Sequence, residues 1–259
     1  MSEPIILTRE GKIAIIEINL PDTRNPISAQ PTIDALCDGL EEVSADVSIG
    51  AAILTGRGTA FSSGGDLATI SHPGGLGGDA PTRTPSQYRL GIQRVPSAFA
   101  AFNVPIIAAV NGPAIGAGCD LACMCDIRIA GESAVFAESF VRLGLIPGDG
   151  GAWLLPRAVG YSRACEMAFT GDRISATEAL DIGLVSRVVP DEALMDTARE
   201  LAGRIVRNPP EALRLAKRLM IRGQTMRLDE LLELSAAYQS IAHTTEEHHE
   251  AIDKARGGK

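Results

Sequence analysis

Positive charge is in deficit along this chain of 259 residues: 24 Lys and Arg stand against 32 Asp and Glu, giving a net charge of -8 at pH 7. A general nucleic-acid binder needs a basic footprint, so that class is excluded. An anionic ligand would have to be held by local donors rather than by the overall field. Cysteine is scarce and odd in number, at Cys37, Cys119, Cys123, Cys125 and Cys165. Such a set does not make a disulfide framework, and reduced thiols in a cytosolic setting are expected. Cys119, Cys123 and Cys125 lack paired CxxC spacing and have no histidine nearby. They read as buried thiols rather than as a zinc site.

Long hydrophobic runs are also missing. No segment approaches the roughly 20 apolar residues of a membrane span. The first residues, Met1-Ser2-Glu3-Pro4, show no basic region followed by an apolar core, so no signal peptide is expected. The expectation is a soluble, cytoplasmic protein without nucleic-acid or membrane partners. Several signatures fail. No G-x-x-x-x-G-K-[ST] phosphate loop is present. Gly56-Arg57-Gly58 runs into Thr59-Ala60-Phe61 without the third glycine of a dinucleotide fingerprint. Gly160-Tyr161-Ser162-Arg163-Ala164 lacks the second glycine of a nucleophile elbow. Of the four histidines, His243, His248 and His249 lie in a polar tail and His72 in a Gly/Pro stretch. A Ser-His-Asp triad is therefore not expected, and no metal site is assigned.

What is present is a globular composition, 45% apolar and 22% charged. Short apolar runs at 13–18, 51–55, 105–110 and 127–130 predict strands. Helical spacing predicts helices over 32–42, 88–102 and 118–125. Alternation of the two implies an α/β layered fold. From residue 191 the chain turns helical, over 192–206, 210–221 and 228–243. This divides it into a core domain, 1–190, and a C-terminal helical region, 191–259. The second part is too small to bury a large core alone. It is expected to pack on the first or on a neighbouring subunit. Residues 71–86, rich in Gly and Pro, read as an exposed insertion or as a lid beside a site.

Two turns stand out: Phe61-Ser62-Ser63-Gly64-Gly65-Asp66-Leu67, and Asn111 to Leu121, which carries Gly116-Ala117-Gly118-Cys119-Asp120. Each follows a predicted strand. Small residues let a ligand approach the backbone, and free N–H groups at a helix start favour negative charge. Two converging N–H groups would make an oxyanion hole. Either stretch alone is equally well a tight turn packed on a neighbouring strand.

Together the turns resemble those of the crotonase (enoyl-CoA hydratase/isomerase) superfamily. Further matching pieces are Asn25-Pro26, Pro105 to Gly112, Cys125-Asp126-Ile127-Arg128-Ile129-Ala130, Leu145-Ile146-Pro147-Gly148, Leu154-Leu155-Pro156-Arg157, Thr170-Gly171 and 179–185. The resemblance spans nearly the whole chain. It implies a spiral of ββα units with a C-terminal helical region, assembled as a homotrimer or a dimer of trimers. It implies an acyl-CoA thioester as substrate, with coenzyme A part of the substrate and no separate cofactor. Matched to the family's motifs, the backbone N–H groups of Gly65 and Ala117 would hold the thioester oxygen as it becomes an enolate. Arg24, Ser63, Asp66, Leu67, Ala68 and Phe140 would contact CoA or substrate.

The chain also departs from the pattern. A typical hydratase of the family uses two glutamates. At the first position stands Asp120, one methylene shorter, and at the second stands Phe140, which can neither take nor give a proton. Asp149, in Pro147-Gly148-Asp149-Gly150-Gly151, is the candidate replacement. With Asp120 it would share acid and base roles; the alternative is a turn-forming aspartate. Glu138 is a third carboxylate nearby and ranks lower. The tail past Tyr238 has no aromatic residue, unlike relatives that contact a neighbour's cofactor there. The expectation is an acyl-CoA hydratase/isomerase-type enzyme. A β-diketone C–C hydrolase and a non-catalytic acyl-CoA-binding protein are the alternatives.

Overall fold

A computed structural model describes residues 3–66 and 81–257. It opens with a hairpin in which β1 (Ile5–Glu10) and β2 (Ile13–Ile18) pair antiparallel around Gly11, whose φ is 62°. Then come β3 (Ala51–Gly56), β4 (Ile106–Val110), β5 (Ala114–Ile115), β6 (Ile127–Gly131), β7 (Val135–Ala137), β8 (Ile174–Ser175) and β9 (Arg187–Val189). Among the described residues these form two sheets. The larger runs β1-β2-β3-β4-β6-β9 and is parallel from β2 onward; the smaller runs β5-β7-β8. The expected α/β class is met.

The strands read as unbroken apolar runs because the parallel sheet is covered on both faces. Side chains alternate between two cores. Ala14, Ile16, Ile18, Ala52, Leu54, Ile106 and Ala108 enter the main one. Ile15, Ala51, Ile53, Ile107, Ala109 and Ile129 enter the other. That second core is closed by the helix Leu194–Ile205 through Leu194, Ala198 and Ala202, four residues apart on one face. The small alanines let the helix lie close to the sheet.

The helix expected over 88–102 is two helices, Thr84–Leu90 and Arg94–Ala101. The chain leaves helical geometry at Gly91 (φ -104°, ψ -120°), where a Cβ would stand 2.7 Å from the Gln87 carbonyl oxygen. Pro96 then falls in the first turn of the second helix, where no intrahelical donor is lost. Helices Gly151–Val159, Tyr161–Thr170 and Ala176–Asp181 add to those expected.

The C-terminal helix Pro210–Gly223 is tied to the core by two buried cations. The Arg214 guanidinium donates to the carbonyls of Ser44, Asp46 and Ile49 and to Asn103 Oδ1. Lys217 Nζ donates to the Val104 carbonyl and pairs with Asp126 at 2.8 Å. Helices Leu228–Ala242 and Glu246–Gly257 follow. No helix among the described residues is long and apolar enough to cross a membrane.

Candidate active site

Asn25 organises the first turn. It is fully buried, with φ 59°, a left-handed conformation that asparagine tolerates. Its Oδ1 accepts from Leu20 N, and its Nδ2 donates to the carbonyls of Arg57 and Ala60. The segment after β3 is then stitched on both sides. Ser63 N donates to the Arg24 carbonyl, and Ile27 N to the Gly64 carbonyl. On the other side Ser62 N donates to the Pro113 carbonyl, and Ile115 N to the Ser62 carbonyl.

The two turns therefore touch, and this contact explains their glycines. A Cβ on Gly64 would stand 2.3 Å from Ile115 O and 2.9 Å from Ala117 N. A Cβ on Gly118 would stand 2.2 Å from Ser62 O. These two residues are small so that the turns can meet, which joins the packing reading of the motifs to the functional one. The helix Ala117–Met124 starts at this contact, after Gly116 with φ 54°. Among the described residues neither the Gly65 nor the Ala117 backbone N–H has an acceptor. Both residues line one cavity of about 540 Å³.

Arg24, Ser63, Asp66, Phe140 and Asp149 line the same cavity. Leu67 and Ala68 lie outside the described residues, as do His72 and most of the Gly/Pro stretch. The described end of that stretch enters the helix Thr84–Leu90, which supplies Tyr88 to the cavity wall. Tyr88 carried no sequence signal. Ile92, Ile115, Leu143, Leu145 and Ile146 make much of the remaining wall apolar. The Phe140 ring lies over Gly116, with Cζ 3.7 Å from where a Cβ would stand. Arg24, with φ 63°, has no carboxylate partner among the described residues.

Asp120 does not line the cavity. It is 0% exposed and sits behind it, with Glu138 (1%) and Asp149 (4%). Asp120 Oδ1 and Glu138 Oε1 both crowd Gly151, at 2.1 and 2.5 Å from an added Cβ. No N–H or hydroxyl group among the described residues donates to either oxygen of Asp120 or Glu138, or to Asp149 Oδ1. Asp120 lies against Glu138 and Asp149, and a close contact between two such carboxyls requires a proton.

Burial, and then the charges of Glu138 and Asp149, holds the Asp120 carboxyl well above the usual carboxylate range. Burial raises Glu138 to about 8 and also raises Asp149. Burial followed by the charge of Asp149 raises the Tyr88 phenol. Asp149 is the member of this trio that lines the cavity. Its turn is set by Gly150 at φ 116°, and Gln93 Nε2 donates to the Gly148 carbonyl.

Residues 8–255 match the sequence model of the family described as Enoyl-CoA hydratase/isomerase. The chain is 36% identical to a short-chain-enoyl-CoA hydratase of Clostridium acetobutylicum, over 96% of this chain and 92% of that one. It is 36% identical to a 1,2-epoxyphenylacetyl-CoA isomerase of Escherichia coli, over 97% of this chain and 95% of that one. A crystal structure of an enoyl-CoA hydratase/isomerase from Cupriavidus metallidurans CH34 superposes with a TM-score of 0.91 at 32% identity, covering 99% of this chain and 94% of that one.

Proposed function

The chain belongs to the enoyl-CoA hydratase/isomerase family, and on that footing we propose that it moves a proton on an enoyl-CoA thioester through an enolate. It is an acyl-CoA-processing enzyme of the hydratase/isomerase type; its relatives lend no support to a β-diketone hydrolase or a non-catalytic binder. In our reading the Gly65 and Ala117 N–H groups form the oxyanion hole. What supports this is their lack of any acceptor among the described residues and their place on one cavity. Donors preorganised in this way stabilise the developing charge by roughly 3–4 kcal/mol each.

Asp149 is our acid/base group, because it is the member of the buried carboxyl trio that reaches the cavity. It takes a proton from one carbon while the C–H electron pair delocalises onto the thioester oxygen, then returns the proton to another carbon. Asp120, neutral behind it, donates a hydrogen bond to it. Its place on the cavity wall, with Oδ1 receiving no donor among the described residues, favours this role over turn formation alone. One cavity-facing group suffices for double-bond isomerisation, so that reaction is preferred. Hydration is the second reading, favoured by the name of the Clostridium acetobutylicum relative.

Arg24, Ser63 and Asp66, with Leu67 and Ala68, are proposed to follow the CoA portion, and Phe140 the acyl group. No metal or redox cofactor enters the proposal. The protein is proposed to act in the cytoplasm as a homotrimer or a dimer of trimers. Exposed Met220, Leu228, Leu232 and Ile241 on the C-terminal helices support self-association. Sedimentation of a species of 27.2 kDa would refute that part.

The deciding experiment incubates the enzyme with 2-enoyl-CoA and 3-enoyl-CoA thioesters in deuterated water, alongside Asp149→Asn. Interconversion with deuterium exchange, lost by about 10²–10⁴-fold in the variant, is expected. Water addition without double-bond shift would select hydration. Full activity in Asp149→Asn would end the assignment.

A further inference from the structure

Glu138 is a buried ionisable group beside the cavity that the proton transfer above does not employ. It follows β7 and is 1% exposed, and neither of its carboxyl oxygens receives a donor among the described residues. Its oxygen and that of Asp120 crowd the same backbone position at Gly151. The ionisable groups facing it are Asp120, Cys119 and Cys123 on the helix Ala117–Met124 and Asp149 on the turn before the helix Gly151–Val159. None is a cation. Two ionised carboxylates cannot rest against each other in such a place without donors, so a proton must lie between them.

Three carboxyls in a row, Glu138, Asp120 and Asp149, have two junctions. Two protons satisfy both junctions and leave one negative charge. We propose that Glu138 is a positioning residue: as a neutral acid it donates its proton to Asp120, which turns the Asp120 proton toward Asp149 and leaves the single charge at the cavity end. This rests on the reading of Asp149 as the acid/base group. Burial keeps Glu138 protonated up to about 8, so the arrangement holds at neutral pH. Above that pH, ionised Glu138 draws the Asp120 proton back from Asp149 and turnover falls.

The test compares pH profiles of kcat/KM for the full-length enzyme, Glu138→Gln, Glu138→Leu and Asp149→Asn. Glutamine keeps a neutral donor and has no proton to lose. Glu138→Gln should stay within about threefold of wild type near neutrality and lack the wild-type decline at about pH 8. Glu138→Leu should lose at least tenfold in kcat with KM unchanged. A role in packing alone would alter thermal stability but leave the decline in place. Asp149→Asn inactive with Glu138→Gln superimposable on wild type overturns this inference alone. Asp149→Asn fully active overturns both it and the reading beneath it. Glu138→Gln carries the test even if Glu138→Leu does not fold. The carbonyl stretch of protonated carboxyls, read by infrared near neutrality, should weaken in Glu138→Gln.

Discussion

Gly64 packs against the amide of Ala117, so closely that a Cβ on it would stand 2.9 Å from that nitrogen. The cavity-lining amides of Gly65 and Ala117 are thereby held by direct backbone contact between two turns that lie far apart in sequence. Gly118 makes the reciprocal approach to Ser62 O at 2.2 Å. Gly118→Ala should therefore destabilise the fold by at least about 2 kcal/mol and depress kcat. Gly203 is a contrast, since a Cβ there meets nothing within 4 Å in the helix Leu194–Ile205. Gly203→Ala should stabilise by about 0.5–1 kcal/mol. Thermal melts of the two variants should move in opposite directions.

Ala117 is the first residue of its helix, the position where proline is best tolerated. Ala117→Pro removes one proposed oxyanion donor without removing an intrahelical bond. We expect kcat to fall by about 10²–10³-fold with the circular dichroism spectrum unchanged. Near-wild-type kcat in a folded variant would mean the amide is not used.

Folded-state pKa values of Asp120, Glu138 and Asp149 are raised, so the native state binds more protons than the unfolded chain. Their contribution to stability is complete below the unfolded values and is lost as pH rises through the folded ones. For Glu138 that window runs from 4.5 to about 8. Urea titrations should show stability declining across it, and Glu138→Gln should flatten the slope by up to roughly 1.4 kcal/mol per pH unit. An unchanged slope would mean Glu138 keeps its unfolded-state affinity for protons.

Arg214 satisfies three backbone carbonyls and one side-chain amide beneath the helix Pro210–Gly223. Arg214→Met leaves these acceptors buried without donors and should cost about 2–4 kcal/mol. The effect should appear in the urea midpoint and leave KM of the folded enzyme unchanged.

Much of the architecture was legible in the residues. Runs such as Ala51–Gly56 and Ile106–Val110 announce strands because both of their faces are buried. The edge strand β1 carries no such signal, since most of its residues, Thr8-Arg9-Glu10 among them, escape full burial. The break at Gly91 was hidden because the helical spacing continues across it.

Local chemistry determined the sheet's inner strands and the two glycine-bearing turns, since each is a property of neighbouring residues, and the resemblance to the family's motifs marked the loss of a carboxylate at Phe140. Only tertiary structure decided that Gly64 and Gly118 are small so that the turns can meet. It alone also set Asp149 on the cavity, with Asp120 and Glu138 buried behind it. Proximity between segments this far apart in the chain is created by packing, and packing also decides which carboxyls lose their water and keep their protons.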